Sequence, residues 1–119
     1  MIYGDPIEHV VLFKIKIDTP QLKKYGLMES LLALKDEIPE ILHSSAGVNF
    51  SARSQGFTHG FVARFENRAA LERYLAHPAH VAVVEQQVKP ICESVLAFDY
   101  ALLSLPKDYV PKTPSSPAN

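Results

Sequence analysis

The sequence predicts an α+β fold of the ferredoxin-like kind, βαββαβ, with a four-stranded antiparallel sheet. Three observations point there. Four segments alternate apolar and polar residues at every second position, two segments carry the longer helical period, and prolines or capping residues fall between them. At 119 residues the chain has room for one domain with a proper core.

The first strand is "IEHVVLFKIKI", Ile7 to Ile17. Its odd face is His9, Val11, Phe13 and Ile15; its even face begins with Val10 and Leu12 and ends in Lys14 and Lys16. From Gln21 to Ile38 the period lengthens, and Leu22, Tyr25, Met28, Leu31, Leu32 and Leu34 fall mainly on one stripe, which reads as a helix. Pro20 suits its first turn and Pro39 ends it.

"AGVNFSAR", residues 46–53, reads as an edge strand with Val48 and Phe50 on one face. The turn "SQG" leads into "FTHGFVARF", a strand with Phe57, His59, Phe61, Ala63 and Phe65 on one side. Asn67 is placed to cap a helix through "RAALERYLA" that breaks before Pro78, where a second helical turn begins. "SVLAFDYALL" is the last strand: Leu96, Phe98, Tyr100 and Leu102 share one face, and Val95, Ala97, Asp99 and Ala101 the other. The domain is expected over residues 1–103. Residues 104–119, with four of the nine prolines and several serines, form a tail that cannot bury a core by itself.

Two helices cover one face of such a sheet. The face with Phe13, Ile15, Phe61 and Phe65 is expected to be the uncovered one, hidden against a second copy of the chain. The tail or a partner protein is the other way to hide it. With the first strand taken as parallel to the third and antiparallel to the fourth, His9, His59 and Asp99 converge on one mouth of this apolar space. Such a mouth suits a small hydrophobic ligand, with Val11, Phe13, Phe61 and Val81 as further lining. The bland reading makes the three polar residues a hydrogen-bond network that fixes the register.

Charge excludes some classes of partner. Twelve basic against thirteen acidic side chains leave a net charge of −1, which gives no electrostatic reason for a nucleic acid or an anionic membrane. Cys92 is the one cysteine, so no internal disulfide forms and a reducing cytoplasm is the expected location. No apolar stretch is long enough to span a bilayer, and "MIYGDPIEHV" lacks the basic-then-apolar order of a secretory signal.

In "YLAHPAHV", Pro78 at the first helical position makes His77 the cap and His80 the third residue of the turn. His77 and His80 stand three apart, a spacing that would suit metal ligation on a continuous helix. The proline interrupts that helix and there is no HExxH, so no metal is expected. A helix start disfavours an imidazolium, which leaves His80 neutral and able to accept a proton. Tyr74, one turn before the break, offers a hydroxyl to steady a developing enolate.

"HVVLFKIK", "GFTHGFVARFEN", "YLAHPAHV" and "LAFDY", in this order between Glu8 and Tyr100, resemble the stress-responsive dimeric α/β-barrel family. The resemblance extends to its plant polyketide cyclases, which close a linear tetraketide thioester by an intramolecular aldol condensation. It implies a cofactor-independent cyclase or lyase with His80 as base, Tyr74 as its partner, and His9, His59 and Asp99 as pocket residues. The alternative within the family is a non-catalytic stress-responsive barrel that holds a hydrophobic small molecule. A monooxygenase-like barrel shares the topology, but the HPAH pattern is not its mark. The first helix, with Leu27, Met28, Leu31 and Leu32, does not reproduce the aromatic-rich lining of such cyclases, so the substrate does not transfer.

Overall fold

The computed structural model describes residues 5–112; the end of the proline-rich tail, residues 113–119, lies outside them. The elements are β1 (Ile7–Ile15), α1 (Gln21–Ala33) with a tighter turn Leu34–Asp36, β2 (Ile41–Val48), β3 (His59–Phe65), α2 (Arg68–Ala76), α3 (Pro78–Val83), a widened π-type turn Val84–Val88, the single turn α4 (Lys89–Ile91) and β4 (Cys92–Ala101). The sheet order is β2-β3-β1-β4, so β1 and β3 are central as expected.

Every neighbouring pair is antiparallel, including β1 with β3, which corrects the parallel pairing expected from sequence. The chain path requires it. The α1 crossover returns β2 in the direction of β1, the β2–β3 hairpin reverses the chain, and the α2–α4 crossover keeps β4 in the direction of β3. His9 therefore pairs with Ala63 and Asp99, while His59 pairs with Phe13 near the other end of the sheet.

The faces are also exchanged relative to the expectation. The odd residues of β1, Ile7 to Ile15, are all buried, and they join Leu27, Leu31, Tyr74 and Val83 in the core beneath the helices. Charge explains the choice. The even set carries Glu8 and Lys14, and Glu8 takes a 2.7 Å ion pair from Arg64, its cross-strand partner in β3. Turning that set toward the helices would bury these charges at a cost of several kcal/mol per ion. The uncharged set goes inward instead.

Two further boundaries differ. β2 begins five residues earlier than expected, at Ile41, and Phe50 lies beyond it, fully exposed. "ILHSSAG" has too few β-formers to announce a strand; its pairing with β3 at the sheet edge makes it one. On α1 the buried stripe is Leu27, Leu31, Leu34 and Ile38, whereas Leu22 is 82% exposed and Tyr25 60%. The helix is rolled from the expected phase, because Leu27 and Leu31 meet the core and the N-terminal apolar residues overhang it.

The remaining punctuation works by ordinary capping. The Asn67 side chain accepts from the Ala70 N–H at 2.9 Å and starts α2. In the hairpin, Gln55 and Gly56 take φ values of 57° and 92°, a reversal in which Gly56 has no side chain to strain. After β4 the Leu102 N–H donates to the Pro6 carbonyl at 2.9 Å. Residues 102–112 then form no helix or strand.

Candidate active site

The site grows out of the break between α2 and α3. A residue before proline is driven to extended backbone, and His77 sits at φ −65°, ψ 135°. Its Nδ1 accepts from the Ala79 N–H at 3.0 Å, which makes it the cap of α3. The chain turns there, and His80 folds back over the end of α2.

His80 Nδ1 stands 3.0 Å from the Leu75 carbonyl, one of the oxygens left free where α2 ends. A carbonyl only accepts, so Nδ1 carries the proton and Nε2 keeps its lone pair. Burial pushes the His80 imidazole below its ordinary range; the Leu75 bond opposes this and nearby His9 reinforces it. His80 is thus neutral near pH 7, with one basic nitrogen that has no hydrogen-bond partner among the described residues.

Tyr74 lies beside it, 1% exposed, with ring centroids 4.5 Å from His80, 4.9 Å from Phe65 and 5.8 Å from His9. Burial raises its phenol above the ordinary value, so it stays protonated and can donate. His9, 4% exposed, donates from Nδ1 to the Asp99 carboxylate, which fixes its tautomer and orientation.

His80, Tyr74 and His9 border a cavity of about 350 Å³ within a single chain, between sheet and helices. Its walls include Val11, Phe13 and Phe61 from the sheet, Leu31 from α1, and Val84 and Val88 from the π-type turn. A chamber between the sheets of two copies, which the sequence reading implied, is therefore replaced by an intrachain one: the buried face is the helix-covered face.

The structure brings together His9, Tyr74, His80, Val11, Phe13 and Phe61. Asp99 lies outside the lining and touches the site through His9, while also bordering an adjoining groove with Arg68 and Glu72. Val81 is 44% exposed and does not line the cavity. His59 does not either. Its Nδ1 is 2.7 Å from Thr58 Oγ1, and that hydroxyl donates its one proton to the Phe13 carbonyl, so His59 is the donor to Thr58.

Sequence reasoning missed Leu31, Leu75, Val84, Val88, Lys89, Val95 and Ala97. Signals existed for some of them. Val84 and Val88 follow His80 at steps of four, and Val95 and Ala97 alternate with Asp99. A larger hollow of about 480 Å³ by the β2–β3 hairpin has His59 as its one acid–base group and no tyrosine in its lining. Among the described residues, no group of three or more His, Cys, Asp or Glu is placed to hold a metal ion, and no helix is long and apolar enough to cross a membrane.

Comparison with known proteins agrees with this architecture. Residues 7–102 match the family model described as the stress responsive A/B barrel domain. The chain is 36% identical over 106 residues to a stress-response A/B barrel domain-containing protein of Arabidopsis thaliana, covering 88% of this chain and 40% of that relative, so it spans less than half of the relative's length. Olivetolic acid cyclase of Cannabis sativa is 25% identical over 96 residues, which cover 79% of this chain and 94% of the cyclase. A Bacteroides fragilis protein of unknown function, described as dimeric and ferredoxin-like, superposes with a TM-score of 0.68 at 27% identity over 85% of this chain and all of that one. With its strand order, helix-covered face and matched span, the chain belongs to the stress-responsive A/B barrel domain family.

Proposed function

We propose that the protein is a cofactor-independent cyclase that closes a ring within a poly-β-carbonyl substrate by aldol-type chemistry. The observation that carries this reading is the bare Nε2 of a neutral His80 at an apolar cavity, beside the protonated phenol of Tyr74. In the first step Nε2 takes the proton from a carbon flanked by two carbonyls, and the Tyr74 hydroxyl donates a hydrogen bond to the enolate oxygen. The enolate carbon then attacks a second carbonyl of the same chain, forming the C–C bond, and the imidazolium returns its proton to the resulting alkoxide. His9, held by Asp99, orients the substrate at the cavity wall. The likeness to a plant polyketide cyclase supports the reaction class.

Incubation of the purified protein with freshly generated polyketide thioesters, with ring products resolved by mass spectrometry, tests this. Wild type is expected to form ring products that His80→Ala and Tyr74→Phe do not accelerate. Identical products and rates for all three proteins across the substrate panel would remove the chemical basis of the proposal.

A second reading keeps the cavity without the chemistry: a non-catalytic barrel that binds a hydrophobic small molecule. It is supported by the almost wholly apolar lining and by the polar bonds that His9, His59 and His77 already make within the chain. Tight binding of an apolar ligand, without ring closure, is its signature.

Assembly as a homodimer belongs to the same proposal. The open sheet face carries Val10, Leu12, Val62, Leu96 and Phe98, with Phe98 63% and Leu96 49% exposed. An apolar face of this kind asks for a cover of roughly 800 Å² per partner, and the dimeric family neighbour supports a second copy. Light scattering gives the mass directly. A cytoplasmic location completes the proposal, resting on the lone Cys92, and a fluorescent fusion checks it.

A further inference from the structure

Lys89 is the one side chain of fixed charge among those that border the cavity. Its position depends on the irregular turn before it. In a regular helix each residue advances about 100°, so the nine steps from His80 to Lys89 add up to about two and a half turns, and the two would face opposite ways. The π-type turn Val84–Val88 closes over more residues per turn and therefore rotates less at each step. Val88 stays on the cavity side with Val84, four residues on, and the smaller rotation brings Lys89 round to the edge of the cavity. Successive residues also advance along the axis, so Lys89 lies farther along the segment than His80. Lys89 thus borders the apolar cavity at a point away from His80, its ammonium paired to Glu85 and largely open to solvent.

Resting on the site reading above, we propose that the cavity takes an amphiphile: an acyl or alkyl chain along the apolar walls, with a terminal carboxylate held at the rim by the Lys89 ammonium. The volume of about 350 Å³ fits about a dozen non-hydrogen atoms, taking a water-sized share of about 30 Å³ for each. Lys89 Nζ is bonded to Glu85 Oε2 at 2.5 Å, one turn back. Lys89 is 63% and Glu85 54% exposed in their side chains. A bound carboxylate would share the ammonium with Glu85, so the effect of charge on affinity is modest, about three- to fivefold, as for a solvent-exposed pair.

Calorimetry with octanoate and 1-octanol as probes, on the full chain at low salt and pH 7.5, tests the assignment. Wild type is expected to bind octanoate three- to fivefold more tightly than octanol, and Lys89→Gln to remove that preference while leaving octanol affinity unchanged. Glu85→Gln should tighten octanoate alone, because the competing carboxylate is gone. Equal affinity of wild type for both probes, loss of both in Lys89→Gln, or binding of neither would overturn the proposal. Ring closure of polyketide thioesters without octanoate preference sinks this inference and leaves the cyclase standing. Octanoate preference without ring closure does the reverse.

Discussion

His9 and His59 are the two buried histidines of the sheet, 4% and 7% exposed, and both lie on its helix-covered side. Their surroundings divide them. His9 is held by a carboxylate from β4 and meets Tyr74, the ring that packs on His80. His59 is tied to the hydroxyl of its own neighbour Thr58, which also bridges the Phe13 carbonyl and the Ile15 N–H, so it pins the edge of the β1–β3 ladder. Burial and residue type alone do not mark a site. What separates the two is company: His9 lines the apolar cavity together with Tyr74 and His80, and His59 does not.

The widest separation between the two ends is expected in turnover. His80→Ala should lower kcat by about a hundredfold to ten-thousandfold with little change in KM, the range for a lost general base. His59→Gln should stay within a few-fold of wild type in kcat and lose instead about 1–3 kcal/mol of stability, for the buried bond it gives up. Comparable kcat losses in the two variants would erase the contrast.

The open face gives the next effect. Phe98→Asp, in the middle of the exposed apolar set, is expected to convert a dimer to a monomer at micromolar concentration, read by light scattering. An unchanged mass would place the interface elsewhere.

Acidification sharpens the comparison from another side. Burial lowers the folded-state values of both His80 and His59 below the ordinary 6.5. Below 6.5 the unfolded chain therefore binds more protons than the folded one. The associated stability is complete above pH 6.5 and declines as pH falls through and below that value. Urea midpoints between pH 7.5 and 5 should drop in wild type and drop less in His59→Gln. The rate, needing neutral His80, should rise with pH through a midpoint below 6.5 and then level. A midpoint above 6.5 would contradict the buried, neutral base.

The smallest effect is local. Asn67→Ala removes the cap of α2 and should cost about 1 kcal/mol by urea denaturation, without altering the pH midpoint of the rate. A shift of that midpoint would mean that α2 positions His80 more loosely than its Leu75 bond implies.

Much of this molecule is legible in the chain itself. Alternation in β1, β3 and β4, the caps at Asn67 and His77, and the stops at Pro39 and Pro78 fix the order of elements, because each is a property of neighbouring residues. His80 and Tyr74 stand out for the same reason: a proline between two histidines sets the local chain path. The β2 strand is less readable, since its polar segment becomes a strand only through its partner β3.

Sequence by itself determined which residues share a face; only the tertiary structure decided which face points inward. Period-two alternation distinguishes the sides of a strand but not inside from outside when both are apolar, and the choice fell to the cost of burying Glu8 and Lys14. Packing likewise decided that His9 and His59 part company and that the cavity lies within one chain. Those outcomes depend on strand direction and on the roll of α1, which arise between elements distant in sequence.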